Sequence, residues 1–134
     1  MSASHAGPVS FRKAKPEAGL AVAAKKGGAD IVALISDSGL KGRGGAGFPT
    51  GFKWKLTAEA QCANKYIVCN ADEGEPGTFK DREILSECAD LVFEGMTIAG
   101  RAVGTGRGIL YLRGEYSCLR PQLEEVQATT RTQD

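Results

Sequence analysis

Residues Lys65 to Leu85 read KYIVCNADEGEPGTFKDREIL. The run YIVC, Tyr66 to Cys69, is short, continuous and apolar, the pattern of an internal parallel strand buried on both faces of a sheet. It gives way to an acidic turn that opens at Asn70 and places Asp72, Glu73 and Glu75 just beyond the strand's carboxyl end, where open α/β sheets bind their ligands. A second run of the same character is GILYL, Gly108 to Leu112. Between the two lies a helix over Leu91 to Val103, in which Val92, Met96, Ala99 and Val103 share one stripe and Gly95 and Ala102 permit close packing. Strand, helix and strand predict a right-handed crossover with parallel strands, so the fold class is α/β.

Working outward toward the amino terminus, Ala18 to Lys26 is rich in helix formers and is stopped by Gly27 and Gly28. Asp30 precedes Ile31, Val32, Leu34 and Ile35, which share one helical face, and Gly39 stands where a carboxyl-terminal cap is needed. The segment Lys41 to Gly51, KGRGGAGFPTG, holds too much glycine for a helix or strand and reads as a loop. Toward the carboxyl terminus, Pro121 fits the first turn of a last helix that uses Leu119, Leu123 and Val126, followed by the polar QATTRTQD. The expected organisation is a flexible amino terminus over 1–17, one domain over 18–126 and a polar tail over 127–134.

Composition narrows the function classes. The 134 residues, 42% of them hydrophobic, suffice for one core without disulfides or metals. Seventeen Lys and Arg against sixteen Asp and Glu leave a formal charge of +1, so no global field favours nucleic acid or an acidic membrane surface. No apolar stretch is long enough to cross a bilayer, and the opening MSASHAGPVS has no signal-peptide pattern, so the expectation is a cytoplasmic protein with no direct membrane insertion. Cys62, Cys69, Cys88 and Cys118 are too scattered for a zinc knuckle or iron-sulfur set and read as reduced thiols.

Gly42, Gly44 and Gly47 have the spacing G-x-G-x-x-G, by which backbone N–H groups approach a pyrophosphate. The residues before Gly42 read as a helix end, so an ordinary Rossmann turn is disfavoured. Lys41, Arg43, Lys53 and Lys55 add positive charge, and Phe48 and Trp54 add flat apolar surfaces for a ring system. A tight turn with solvated cations and two core aromatics satisfies the same residues. The carboxylates of Asp72, Glu73 and Glu75 suit the hydroxyl and N–H donors of ribose, ribityl, nicotinamide and flavin groups. A calcium or magnesium site is disfavoured by the missing EF-hand pattern and by Lys80 and Arg82 nearby, while an acidic turn capping a helix that begins near Asp81 remains open. His5 has no partner and no nucleophile-and-base pair is apparent, which suits chemistry carried by a bound cofactor.

Taken together, SGLKGRGGAGFPTGFKW (Ser38 to Trp54), KYIVCNADEGEPGTFKDREIL, EGMTIAGRAVG and GILYLRGEY (ending at Tyr116) closely resemble the flavoprotein subunit of the NADH dehydrogenase module. That family is shared by complex I and by NAD-linked hydrogenases and formate dehydrogenases. The resemblance runs from about Ala18 to Val126 and implies a partial, atypical Rossmann-like FMN-binding domain with a parallel strand-helix-strand core and a helical amino-terminal segment. It implies FMN contacts at Gly42, Gly44, Gly45, Lys53, Asn70, Asp72 and Glu73, and NAD(H) contacts at Gly42, Arg43, Gly44, Gly45, Gly47, Phe48, Lys53 and Glu75. Leu56 stands where the family often has a second aromatic for adenine.

The implied function is hydride transfer from NADH to FMN and onward electron transfer to iron-sulfur clusters. Hydride transfer needs nicotinamide C4 and flavin N5 held about 3–3.5 Å apart, so the two loops are expected to form opposite walls of one cleft. No catalytic side chain and no metal ligand is assigned. The family's later flavin loop, ubiquitin-like domain and cysteine set for a [4Fe-4S] cluster are absent, which makes the chain read as a fragment, inactive when isolated. Implied partners are NADH, an iron-sulfur subunit of the thioredoxin-like 24 kDa type and a larger redox complex, cytoplasmic or peripheral on the inner membrane face. RGEYSCLRPQLEEV leans toward the hydrogenase and formate dehydrogenase diaphorases. The rival expectation is a non-catalytic nucleotide-binding or assembly module.

Overall fold

The computed structural model describes residues 15–131. Most of the expected flexible amino terminus, with His5, and the last residues of the tail lie outside that range. In chain order the elements are α1 (Ala18–Ala23), α2 (Gly28–Asp37), α3 (Thr50–Glu59), β1 (Ile67–Ala71), α4 (Lys80–Glu87), α5 (Ala89–Val103), β2 (Gly108–Leu112), a 3-10 helix (Gly114–Leu119) and α6 (Arg120–Arg131). Strands β1 and β2 pair in parallel, Ile67 opposite Gly108 through Ala71 opposite Leu112. The expected strand-helix-strand unit is present, with α4 and α5 in the crossover.

Helix α5 occupies the centre because it is apolar on more than one side. Its Ala89 and Phe93 join Ala71 of β1, Leu85 of α4 and Leu123 of α6 in one buried cluster, which Leu110 and Leu112 of β2 complete. Its Ala102 joins Ala23 of α1 and Ile31 and Val32 of α2 in a second cluster, against which Trp54 of α3 packs. Burying a side chain of this size contributes roughly 1.5–3 kcal/mol, so α5 links the sheet to the amino-terminal helices from both of its sides. Buried Glu94 adds a polar tie, since its two oxygens accept the Glu17 and Leu20 N–H groups, each at 2.8 Å. Those donors at the start of α1 have no intrahelical acceptor, and a buried carboxylate needs such partners.

Three expectations are corrected. Neither strand is buried on both faces: Ile67, Cys69 and Ala71 alternate with exposed Val68 and Asn70, and Ile109 and Tyr111 are exposed on β2. A two-stranded sheet meets α5 on one side only, so the apolar residues of the other face stay open. The glycine loop ends at Pro49, because Thr50 and Gly51 already belong to α3. That helix is not apparent in the sequence because its apolar residues do not form one stripe: Phe52 and Leu56 are exposed while Trp54 points inward. Finally, α6 runs on through part of the polar tail to Arg131, since a helix once nucleated by packing at Leu123 propagates through residues that pack little themselves.

Candidate functional site

The glycine loop is pinched at its neck. Gly42 N–H donates to the Phe48 carbonyl at 2.9 Å and Thr50 N–H to the Leu40 carbonyl at 3.0 Å, with Lys41 bridging Pro49 in antiparallel fashion. Within the neck, Gly45 at φ 114° and Gly47 at φ 62° adopt backbone that residues with a side chain avoid. The N–H groups of Arg43, Gly44, Gly45, Ala46, Gly47 and Phe48 have no hydrogen-bond partner among the described residues. A Cβ added at Gly44, Gly45 or Gly47 would meet nothing within 4 Å, and Arg43 to Ala46 and Phe48 are exposed. The aromatic expectation divides: Trp54 is a core residue, whereas Phe48 is 44% exposed and lies 6.0 Å from the Phe52 ring. The Lys53 ammonium stands 5.7 Å from the centre of the Phe48 ring.

The acidic loop leaves the carboxyl end of β1. Asn70 Oδ1 accepts the Asp72 N–H at 3.0 Å, fixing the first bend. Asp72 and Glu75 are exposed. Glu73 is 5% exposed and turns inward, where it accepts the Asp81 N–H at 2.8 Å and the Tyr116 hydroxyl at 2.9 Å. The helix-capping role left open by the sequence thus falls to Glu73, at the amino end of α4. Burial raises the Glu73 pKa, but donors from Asp81, Tyr116 and Arg82 and the Lys80 charge outweigh it and hold the carboxyl below its ordinary value. Cys69, in β1, is pushed the other way by burial and then by Asp81, so its thiol stays protonated.

Two residues that the sequence pattern does not single out hold this loop from the segment after β2. Arg113 donates to the Glu73 carbonyl and, at 2.7 Å, to Glu115. Tyr116 supplies the hydroxyl on Glu73. The signal in the sequence is the GEY element, Gly114 to Tyr116, which carries the family resemblance without showing what its side chains hold. Hydrogen bonding to Arg113 lowers Glu115 to about 2 from the usual 4.5. That contact is complete above the ordinary carboxylate pKa and fades as pH falls through about 2. In Arg113→Met the Glu115 midpoint should rise toward its ordinary value, stopping short of it because a backbone hydrogen bond still lowers it, read by carbon-detected NMR titration; an unmoved midpoint would contradict the ion pair.

Among the described residues no hydrogen bond or ion pair joins the glycine loop to the acidic loop. A cavity of about 450 Å³ between β2, α5 and α6, lined by Phe93, Met96, Leu110 and Leu123, contains no residue of either loop. All four cysteines are free thiols. No helix among the described residues is long and apolar enough to cross a membrane.

The chain is similar to several known proteins. It is 56% identical over 94 residues to the NAD-reducing hydrogenase HoxS subunit alpha of Cupriavidus necator, covering 70% of this chain and 16% of that one. It is 51% identical over 88 residues to the F subunit of NADH-quinone oxidoreductase of Escherichia coli K12, covering 65% of this chain and 20% of the relative. In three dimensions it resembles an NAD+-reducing [NiFe]-hydrogenase crystallised in the H2-reduced state, with a TM-score of 0.84 and 43% identity over 90% of this chain and 21% of that one. The chain therefore spans about a sixth to a fifth of these relatives. Over residues 35–134 it matches the model of the Nuo51 FMN-binding domain, a stretch that includes both loops and both strands. By that match and by these identities, the chain belongs to the Nuo51 FMN-binding domain family.

Proposed function

We propose that the chain forms part of the FMN- and NADH-binding domain of an NADH:acceptor oxidoreductase flavoprotein. The observation that carries this reading is the exposed run of unpaired N–H donors from Arg43 to Phe48, set beside the Phe48 ring and the Lys53 ammonium. Backbone donors and one cation suit phosphate oxygens, and an exposed ring suits a flat heterocycle. FMN, when bound, supplies the hydride acceptance and the release of single electrons.

The residues divide the work by chemistry. Gly42, Gly44 and Gly45 bring backbone close to flavin and nucleotide, with Lys53 offsetting phosphate charge. Arg43, Gly47 and Phe48 face NADH. Asn70 donates to the flavin through its amide nitrogen, Asp72 accepts from the flavin, and Glu75 accepts from NADH. Glu73 serves the flavin through the shape of the loop, since both of its oxygens are already engaged. Onward iron-sulfur carriers belong to further polypeptide and to a thioredoxin-like partner protein within a larger redox complex, in the cytoplasm or held at the inner membrane face. The hydrogenase-type diaphorase is preferred on the segment RGEYSCLRPQLEEV after β2.

The isolated chain, which spans about a sixth to a fifth of these relatives, is expected to bind FMN weakly. Nitrogen-detected NMR at millimolar FMN tests this: shifted amides should cluster at Gly42–Phe48 and Asn70–Glu75. Shifts scattered elsewhere, or none, would sink the reading. The rival reading, a non-catalytic nucleotide-binding or assembly module, uses the same exposed backbone donors without hydride transfer. Loss of oxidised-flavin absorbance on adding NADH and FMN would exclude it.

A further inference from the structure

The proposed flavin site depends on two exposed residues, Asp72 and Glu75, that flank a buried one. A loop of this kind has many conformations open to it, and each must be lost before a ligand is bound. Glu73 is where that freedom is restricted. Its side chain is held by the Tyr116 hydroxyl and its carbonyl by the Arg113 guanidinium, so the segment after β2 grips the loop after β1 at two atoms of one residue. From the other side, the Asp81 N–H and Lys80 of α4 hold the same carboxylate, Lys80 at 3.8 Å. Glu115 in turn steadies Arg113.

We infer that Tyr116 and Arg113 are positioning residues, which set the orientation of Asp72 and Glu75 by clamping Glu73 across the carboxyl ends of the two paired strands. The inference rests on the reading of this loop as part of the flavin site. Neither residue touches the ligand in this scheme. Tyr116 acts through a single oxygen, which makes Tyr116→Phe a mild probe because the ring remains in place.

The charged and titratable groups around Glu73 are Lys80, Asp81 and Arg82 on α4, Arg113, Glu115 and Tyr116 after β2, and Asp72 on its own loop. Removing the Tyr116 hydroxyl withdraws one donor that lowers the Glu73 pKa. The folded carboxyl is depressed, so the clamp is complete above the ordinary carboxylate pKa and is lost as pH falls through the folded value. In Tyr116→Phe that loss should begin at a higher pH.

The test uses the full chain in wild-type, Tyr116→Phe and Arg113→Lys forms, with FMN as the probe. Three readouts are taken: amide hydrogen exchange of Asp72 to Glu75 without FMN, the Glu73 carboxyl midpoint, and the FMN concentration that half-saturates the amide shifts. Expected in Tyr116→Phe are exchange faster by roughly tenfold, a raised Glu73 midpoint and FMN binding weaker by roughly tenfold. Arg113→Lys keeps charge but loses the fork, and should weaken FMN binding with the Glu73 midpoint little changed. If wild type responds to FMN and Tyr116→Phe matches it in affinity and exchange, the clamp is wrong while the flavin reading stands. If wild type shows no FMN response at its loops, the flavin reading fails and the inference falls with it.

Discussion

Phe93→Ala is expected to lower stability by about 3–5 kcal/mol, the cost of emptying a large aromatic site in a core that relaxes only partly. Phe93 is 8% exposed and sits among Ala71, Leu85, Ala89 and Leu123, the cluster that fastens the sheet and α6 to α5. With two strands and one open face, the sheet has little else to hold it. A domain of this size has about 5–15 kcal/mol in all, so the variant should lose a large share of its stability. Urea titration followed by circular dichroism should show the midpoint falling by about 2 M. Phe52→Ala is the control, because Phe52 is 51% exposed and its removal should cost far less. Equal losses in the two variants would mean that the core is elsewhere.

Gly51→Ala sets two effects of opposite sign against each other. Gly51 lies inside α3, where alanine is ordinarily better than glycine by about 1 kcal/mol. A Cβ there would stand 2.6 Å from both the backbone nitrogen and the Cα of Ser36, atoms of α2 that cannot rotate away. Overpacking of that kind costs about 1–3 kcal/mol, so the clash should win and α2 and α3 should separate slightly. The neck of the glycine loop joins these two helices, so the amides of Gly42 to Phe48 should shift as well. Gly95, expected from the sequence to permit close packing, is instead exposed on α5 with nothing within 4 Å of an added Cβ, so Gly95→Ala should stabilise the protein. Melting temperatures that move in opposite directions would support the close approach, and a stabilised Gly51→Ala would refute it.

Much of the architecture was legible because local pattern and tertiary role agreed. The α5 stripe of Val92, Met96, Ala99 and Val103, the β2 run and the stop at Gly39 each follow from residue type and spacing, and each appears in the folded chain. The glycine loop was legible for the same reason, since glycine density excludes regular structure by itself. Helix α3 was not, because Phe52 and Leu56 face outward and so break the periodicity that marks a packed helix. Glu73 reads in the sequence as one of three equivalent carboxylates, and nothing local distinguishes it from Asp72 or Glu75.

From the sequence alone came the α/β class, the parallel pairing and the two loops that belong to the flavoprotein family, all properties of short segments. Tertiary structure alone decided which carboxylate is buried, which aromatic is exposed and which face of the sheet is open. Those outcomes depend on contacts between residues 43 positions apart, such as Tyr116 with Glu73. The free energy of a buried charge is set by the donors that surround it in space, and a chain reveals those only once it has folded.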